Sequence, residues 1–275
     1  MKTQANERDY VLGTNDEELQ RLGLQHRVWR STALNCWQQA GITVGSRVLD
    51  VGAGPGYATV DLAEIVGSTG IVVAVERSAN FLRAAKHTCQ DRGFLLVHFH
   101  ELDLMADPPP GHDYDAAWIR WVASFLPSPA TLVEKLASVV RPGGVVVFHE
   151  YADYSTWRLA PRNELVEEFV QHVMGCWRAT GGEPDIALAL PTVLARFGFE
   201  VRSAIPRVFC VRPHDHVWRW PSAFLDINLK RLVEWGRVDE EWTASVRREI
   251  DMAESEPSTW MITSMVLEIV AEQKP

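Results

Sequence analysis

Between residues 45 and 150, short apolar runs alternate with amphipathic stretches. Arg47-Val48-Leu49-Asp50-Val51, Ile71-Val72-Val73-Ala74-Val75, Leu95-Leu96-Val97-His98-Phe99, Asp115-Ala116-Ala117-Trp118-Ile119 and Gly144-Val145-Val146-Val147-Phe148 are β-branched and apolar, and read as strands. Residues 57–66, 79–92 and 129–140 between them carry helical spacing, and Gly67 supplies a left-handed stop for the first. Strands apolar on both faces, alternating with helices, predict a parallel sheet covered on both sides. Right-handed crossovers then make it doubly wound. Residues 15–40 read as a helix before this unit.

After Phe148 the rhythm changes. Residues 162–178, 185–197 and 214–254 look helical, Phe199 to Val211 reads as a strand kinked or bulged at Pro206, and Met265 to Glu272 as a closing strand. The expected organisation is a helical cap over 1–43 and a core from 44–154, 185–212 and 264–275, with helical insertions over 155–184 and 213–263 forming a lid on a single domain.

Composition narrows the partners. The 275 residues hold 27 Lys and Arg against 36 Asp and Glu, a formal charge of −9. An acidic surface repels phosphate backbones, so a nucleic-acid partner is not expected. Four scattered cysteines without a CxxC pair suggest reduced thiols and a cytoplasmic protein. There is no signal-peptide pattern and no apolar run long enough for a membrane span, while a homodimer stays open. Eleven tryptophans are many for this length. The six at 157, 177, 218, 220, 235 and 242 suggest either helix packing or an aromatic acceptor cavity beneath the lid.

The densest signal is Val48-Leu49-Asp50-Val51-Gly52-Ala53-Gly54-Pro55-Gly56-Tyr57, between the first strand and the next helix. Glycines let a backbone approach a ligand closely, and ligands of doubly wound sheets sit beyond the carboxyl ends of the strands. Asp50 would repel a pyrophosphate and attract a cation. Tyr57 stands where a dinucleotide fingerprint wants Gly or Ala, and the Lys-Ser/Thr pair of a P-loop is absent. Glu76, at the end of the second strand, can accept from both hydroxyls of an unphosphorylated ribose, and Asp103 from an exocyclic amine such as that of adenine.

Taken in order, VLDVGAGPG (48–56), VVAVERS (72–78), ELD (101–103), DYDAAWIRW (113–121) and VVRPGGVVVFHE (139–150) resemble a class I S-adenosylmethionine-dependent methyltransferase. DYVLGTNDEELQRLGLQH (9–26) resembles the opening of a small-molecule subgroup. The resemblance implies a Rossmann-like, mostly parallel seven-stranded sheet with a final antiparallel strand. It implies S-adenosyl-L-methionine as cofactor, with Asp50, Gly52, Ala53 and Gly54 at its methionine part. Glu76 would hold the ribose, Arg77 would flank the adenine, and Leu102 and Asp103 would read it. Ile119, Arg120 and Trp121 would floor the pocket, and Tyr10 and Gln25 would cover it from an N-terminal helix.

The implied activity is methyl transfer to a small molecule by in-line displacement. A non-catalytic cofactor-binding protein and an NAD-dependent oxidoreductase are the alternatives. For a general base, the carboxyl end of the fifth strand offers His149 and Tyr151 on one face and Glu150 on the other, with His149 preferred. The pairs His98/His100 and His214/His216 lack further ligands at metal-binding spacing, so no metal is expected.

Overall fold

The structure is a computed structural model that describes residues 16–275. Helix α1 (Asp16–Gln39) leads into β1 (Arg47–Val51), α2 (Tyr57–Val66), β2 (Ile71–Glu76), α3 (Ala79–Asp91), β3 (Val97–Glu101) and β4 (Tyr114–Arg120). Then come α4 (Pro129–Ala137), β5 (Val140–Asp153), β6 (Arg158–Ala160), α5 (Glu164–Ala179), α6 (Leu190–Arg196), β7 (Phe199–Arg207) and β8 (Cys210–Val211). Helices α7 (Arg219–Glu234) and α8 (Glu240–Ser255) precede β9 (Trp260–Ile262) and β10 (Met265–Gln273). Seven strands form one sheet in the order β3-β2-β1-β4-β5-β10-β7, as the doubly wound reading requires. Only β10 runs antiparallel to its neighbours.

Helices α1 and α2 bury their apolar stripes on one face, around Trp37, Leu62 and Trp118. Helices α4 and α6 cover the other, around Leu132, Phe148 and Leu194. A third core lies beyond the sheet ends, where α5, α7 and α8 meet α1 over Trp29, Phe169, Trp218 and Leu229. Strand order reverses at the β1–β4 pair, which places the crevice at the carboxyl ends of these two strands.

Several sequence expectations shift. The third strand starts two residues late, at Val97, because its register is set by β2 (Val72 opposite Val97); Leu95 lies outside it, 85% exposed. The expected strand 199–211 is divided between two sheets. Pro206 sits opposite Leu267 in an edge strand, where its missing donor costs nothing, and the irregularity falls in β10 between Val270 and Ala271. Cys210–Val211 instead pairs with β9, which also pairs with β6. The expected insertions 155–184 and 213–263 therefore carry two strands of a three-stranded sheet as well as helices, and the third, β8, comes from the expected core segment 185–212. Such two- and three-residue strands have no periodicity to read. The expected helix 185–197 is a 3-10 turn followed by α6, whose first turn holds the helix's proline. The helical run 214–254 breaks at Gly236 (φ 64°), and Asp239 caps α8 through the Trp242 N–H.

Candidate active site

A cavity of about 370 Å³ opens where β1, β2 and β4 end beneath α1, α5 and α7. One end is polar, with Asp50, Glu76, Asp103 and Arg120; the other is aromatic, with Trp121, Phe125, Tyr151, Trp177 and Phe224.

The glycine bend divides its labour. At Gly52 (φ 63°) a Cβ would stand 2.5 Å from Val122, so this glycine admits the loop after β4. At Gly56 (φ 81°) it would stand 2.6 Å from Ala85, so that one lets α2 approach α3. At Gly54 (φ 55°) a Cβ would meet no protein atom within 4 Å, which leaves the backbone bare toward the cavity. The Gly54 N–H donates to Glu76 Oε2 at 2.9 Å, tying the bend to β2. Glu76 Oε1 accepts from the Ser78 N–H at 2.8 Å. Burial raises the Glu76 pKa against these two donors.

Asp50 is 1% exposed and accepts from Thr59 Oγ1 at 2.6 Å. Burial pushes its carboxyl up to about 6, opposed by the Thr59 hydroxyl and the Arg120 charge. Arg120 is itself pushed down to about 10 by burial, with Asp50 and Asp61 opposing. Its Nη2 donates to His26 Nδ1 at 3.1 Å, and its Nη1, shielded from solvent, has no hydrogen-bond partner among the described residues. Its guanidinium lies over the Trp118 and Trp121 rings.

Trp121 holds φ 51°, a costly conformation for a bulky residue. It aims the ring into the aromatic end, stacked on Tyr151 at 5.6 Å. Glu150, fully buried on the opposite face of β5, fixes the loop that follows. Its carboxylate accepts from the N–H groups of Val122 (2.7 Å), Ala123 (2.8 Å) and Ser124 (3.3 Å). Burial pushes it up to about 7 against those donors.

Most of the expected residues converge here: Asp50, Gly52, Ala53, Gly54, Glu76 and Arg77 on one side, Leu102, Asp103, Arg120, Trp121, Gln25 and Tyr151 around the rest. Three do not join them. Ile119 alternates into the core under α4, because it and Arg120 point to opposite faces of β4. Tyr10 lies outside the described residues. His149 shares a face with Tyr151 but lies deeper, 0% exposed, with Nε2 against Glu268 at 3.0 Å. Burial lowers its pKa, with Glu268 opposing, so it is a neutral buried ring without access to an acceptor.

Cys36, His149 and Glu268 form a compact buried group whose ligating atoms lie within 4.8 Å of one another. The Arg207 guanidinium, 3.0 Å from Glu268, already supplies a positive charge there, and the carboxylate serves as a shared acceptor. Sequence reasoning missed Arg21, Phe125 and Phe224 as lining residues, and offered Trp177 only among the tryptophans of an aromatic cavity. Phe224 and Trp177 come from insertions without motifs, and only the richness in tryptophan hinted at them. Tyr57 was read only as a departure from another fingerprint, yet it lines the cavity and donates to the Leu19 carbonyl at 3.0 Å.

The residues fit S-adenosylmethionine on three counts. The bare Gly54 leaves room beside Glu76. Asp50 is a buried anion short of positive charge, and Arg120 Nη1 is a shielded donor without an acceptor among the described residues. An amino-acid zwitterion answers both.

Residues 48–144 match the family model of a methyltransferase domain. A demethylmenaquinone methyltransferase of Staphylococcus saprophyticus is 28% identical over 152 residues, covering 55% of this chain and 63% of that protein. One from Staphylococcus aureus strain MRSA252 is 29% identical over 186 residues, covering 67% of this chain and 73% of that protein. The match thus spans somewhat under two thirds of the first relative. A crystal structure of a methyltransferase from Bacillus halodurans C-125, its function assigned only provisionally, superposes with a TM-score of 0.58 at 16% identity. It covers 89% of this chain and all of that one, and so shares the fold. Sheet order, glycine bend and family match agree on a methyltransferase domain over residues 48–144, set in a Rossmann-like fold.

Proposed function

We propose that this protein transfers the methyl group of S-adenosylmethionine to a planar, largely apolar small molecule. The observation that carries this reading is one continuous cavity with a charged end and an aromatic end, meeting at Trp121. When bound, the cofactor supplies a methyl group already activated on a sulfonium. What remains for the chain is alignment and exclusion of water, and holding reactants in line can account for about 7–11 kcal/mol of a barrier.

Asp50 offsets the ammonium of the methionine part, and Arg120 binds its carboxylate. Glu76 keeps lone pairs for the ribose hydroxyls, and Leu102 and Asp103 border the adenine. At the other end the stacked pair of Trp121 and Tyr151 forms one wall for a flat acceptor, with Trp177, Phe125 and Phe224 lining the rest. Tyr151, unlike His149, borders the cavity and is the side chain to orient an acceptor hydroxyl or carbon acid. Demethylmenaquinone, named for two relatives, is a reasonable first acceptor.

The charge of −9 supports a small molecule over a nucleic acid. All four cysteines are free and three are buried, which supports a reducing cytoplasmic setting. Among the described residues, no helix is long and apolar enough to cross a membrane.

The test has two steps. Calorimetric titration with S-adenosylhomocysteine should show one site per chain. Transfer of labelled methyl to a panel of hydroquinones, phenols, amines, sugars and oligonucleotides should then favour flat apolar acceptors. Absence of S-adenosylhomocysteine binding, or preference for an oligonucleotide or sugar, would refute the reading.

A further inference from the structure

Arg120 does not stand alone beside Asp50. Its Nη2 meets His26 Nδ1 at 3.1 Å, and His26 Nε2 meets Asp61 Oδ2 at 3.0 Å. Asp61 also takes a two-point contact from Arg30, at 2.8 and 3.0 Å. The chain of contacts runs from partly exposed Arg30 on α1, through α2, back to α1 and into the cavity at the end of β4. His26 and Asp61 are both almost closed to solvent, at 8% and 6% side-chain exposure.

The chemistry of the partners fixes the imidazole. A guanidinium only donates, so Nδ1 must be bare; an ionised carboxylate only accepts, so Nε2 must carry the proton. His26 is therefore a neutral ring in one tautomer, held on its face by Tyr57 stacked at 5.8 Å.

We infer that His26 is a positioning residue, which holds the Arg120 guanidinium beside Asp50 for the carboxylate of the cofactor's amino-acid head. The inference rests on the proposed reading of the site. Nothing but His26 accepts from Arg120 among the hydrogen bonds of the described residues. Without that acceptor the guanidinium, already penalised by burial, is free to turn away. Protonating His26 would do the same, since a second donor would then face Arg120 Nη2. The charged and titratable groups facing the ring are Asp61 and Tyr57 from α2, Arg30 from α1 and Arg120 from β4. Burial lowers the His26 pKa more than Asp61 raises it, so the ring is neutral at neutral pH and the contact intact.

The experiment compares His26→Leu with His26→Asn in the full-length protein, reading the dissociation constant of S-adenosylhomocysteine by calorimetry. Leucine fills space without an acceptor; asparagine returns an oxygen near the place of Nδ1. H26L should bind about tenfold more weakly, the cost of one hydrogen bond to a charged group, and H26N should recover to within about threefold of wild type. Affinity should also fall more on acidification in wild type than in H26N, with the titration of Asp50 common to both. Equal affinity of wild type and H26L, equal losses in both variants, or identical pH profiles would each overturn the inference. Failure of wild type to bind S-adenosylhomocysteine would instead defeat the reading of the site.

Discussion

Replacing Asp50 by asparagine should make the ligand-free protein more stable while disabling its site. The carboxyl is buried, and burial lifts its pKa from 3.8 to about 6. A rise of about 2 corresponds to ~3 kcal/mol. Its sign follows from linkage: the folded state holds this proton more tightly than the unfolded chain. The penalty is therefore absent below about pH 4, grows as pH climbs toward 6, and is complete above it. Asparagine removes the charge and keeps an oxygen for Thr59 Oγ1, at the loss of ~1 kcal/mol for a weaker bond. Arg120 also loses a favourable neighbour. The net gain should be ~1–2 kcal/mol near pH 8, a melting temperature higher by roughly 2–6 °C for a chain of this size. Binding of S-adenosylhomocysteine should weaken about 100-fold, because its ammonium loses its counter-charge. Thermal melts of both proteins from about pH 4 to 8, with calorimetry near pH 7.5, measure both effects. A variant that melts below wild type near pH 8, or a gap that is constant across the pH range, would refute the reasoning.

Three further outcomes follow from the same geometry. Gly52→Ala must displace Val122 and should cost ~2–3 kcal/mol in chemical denaturation, whereas Gly54→Ala meets no protein atom and should cost only ~1 kcal/mol of strain, with its loss concentrated in cofactor affinity. Glu150→Gln turns a donor toward one of the N–H groups it caps; calorimetry should show cofactor affinity falling about 5–10-fold, while relief of the buried charge keeps the melting temperature within roughly 3 °C. His149→Gln should lower the melting temperature yet leave kcat within about threefold, because the ring touches Glu268 and not the cavity; a ~100-fold loss of kcat in steady-state assays would restore His149 as a base.

The cofactor end of the site was legible because its residues are local to strand ends. A parallel strand buried on both faces must read as an apolar run, so Asp50 within Val48–Val51 stands out as a charge the fold would not tolerate without a partner. Glu76 was found as a charge at the end of β2, whereas Arg120 at the end of β4 came with the family resemblance. Alternation along β5 also placed His149 and Tyr151 on one face and Glu150 on the other. What alternation cannot give is depth: two residues along the strand separate a ring sealed against Glu268 from one bordering the cavity.

Sequence thus determined the order of strands and helices in the parallel part of the main sheet, the glycine bend, and Asp50 and Glu76 at the charged end of the cavity, since each follows from periodicity or from a few adjacent residues. Tertiary structure decided the rest. It brought Phe224 and Trp177 to the cavity that Trp121 lines, joined His26 to Arg120 across 94 positions of chain, and split the Phe199–Val211 run between two sheets. These are contacts between elements far apart in the chain. Their partners are chosen by packing and by which buried polar groups can satisfy each other, and neither leaves a local pattern to read.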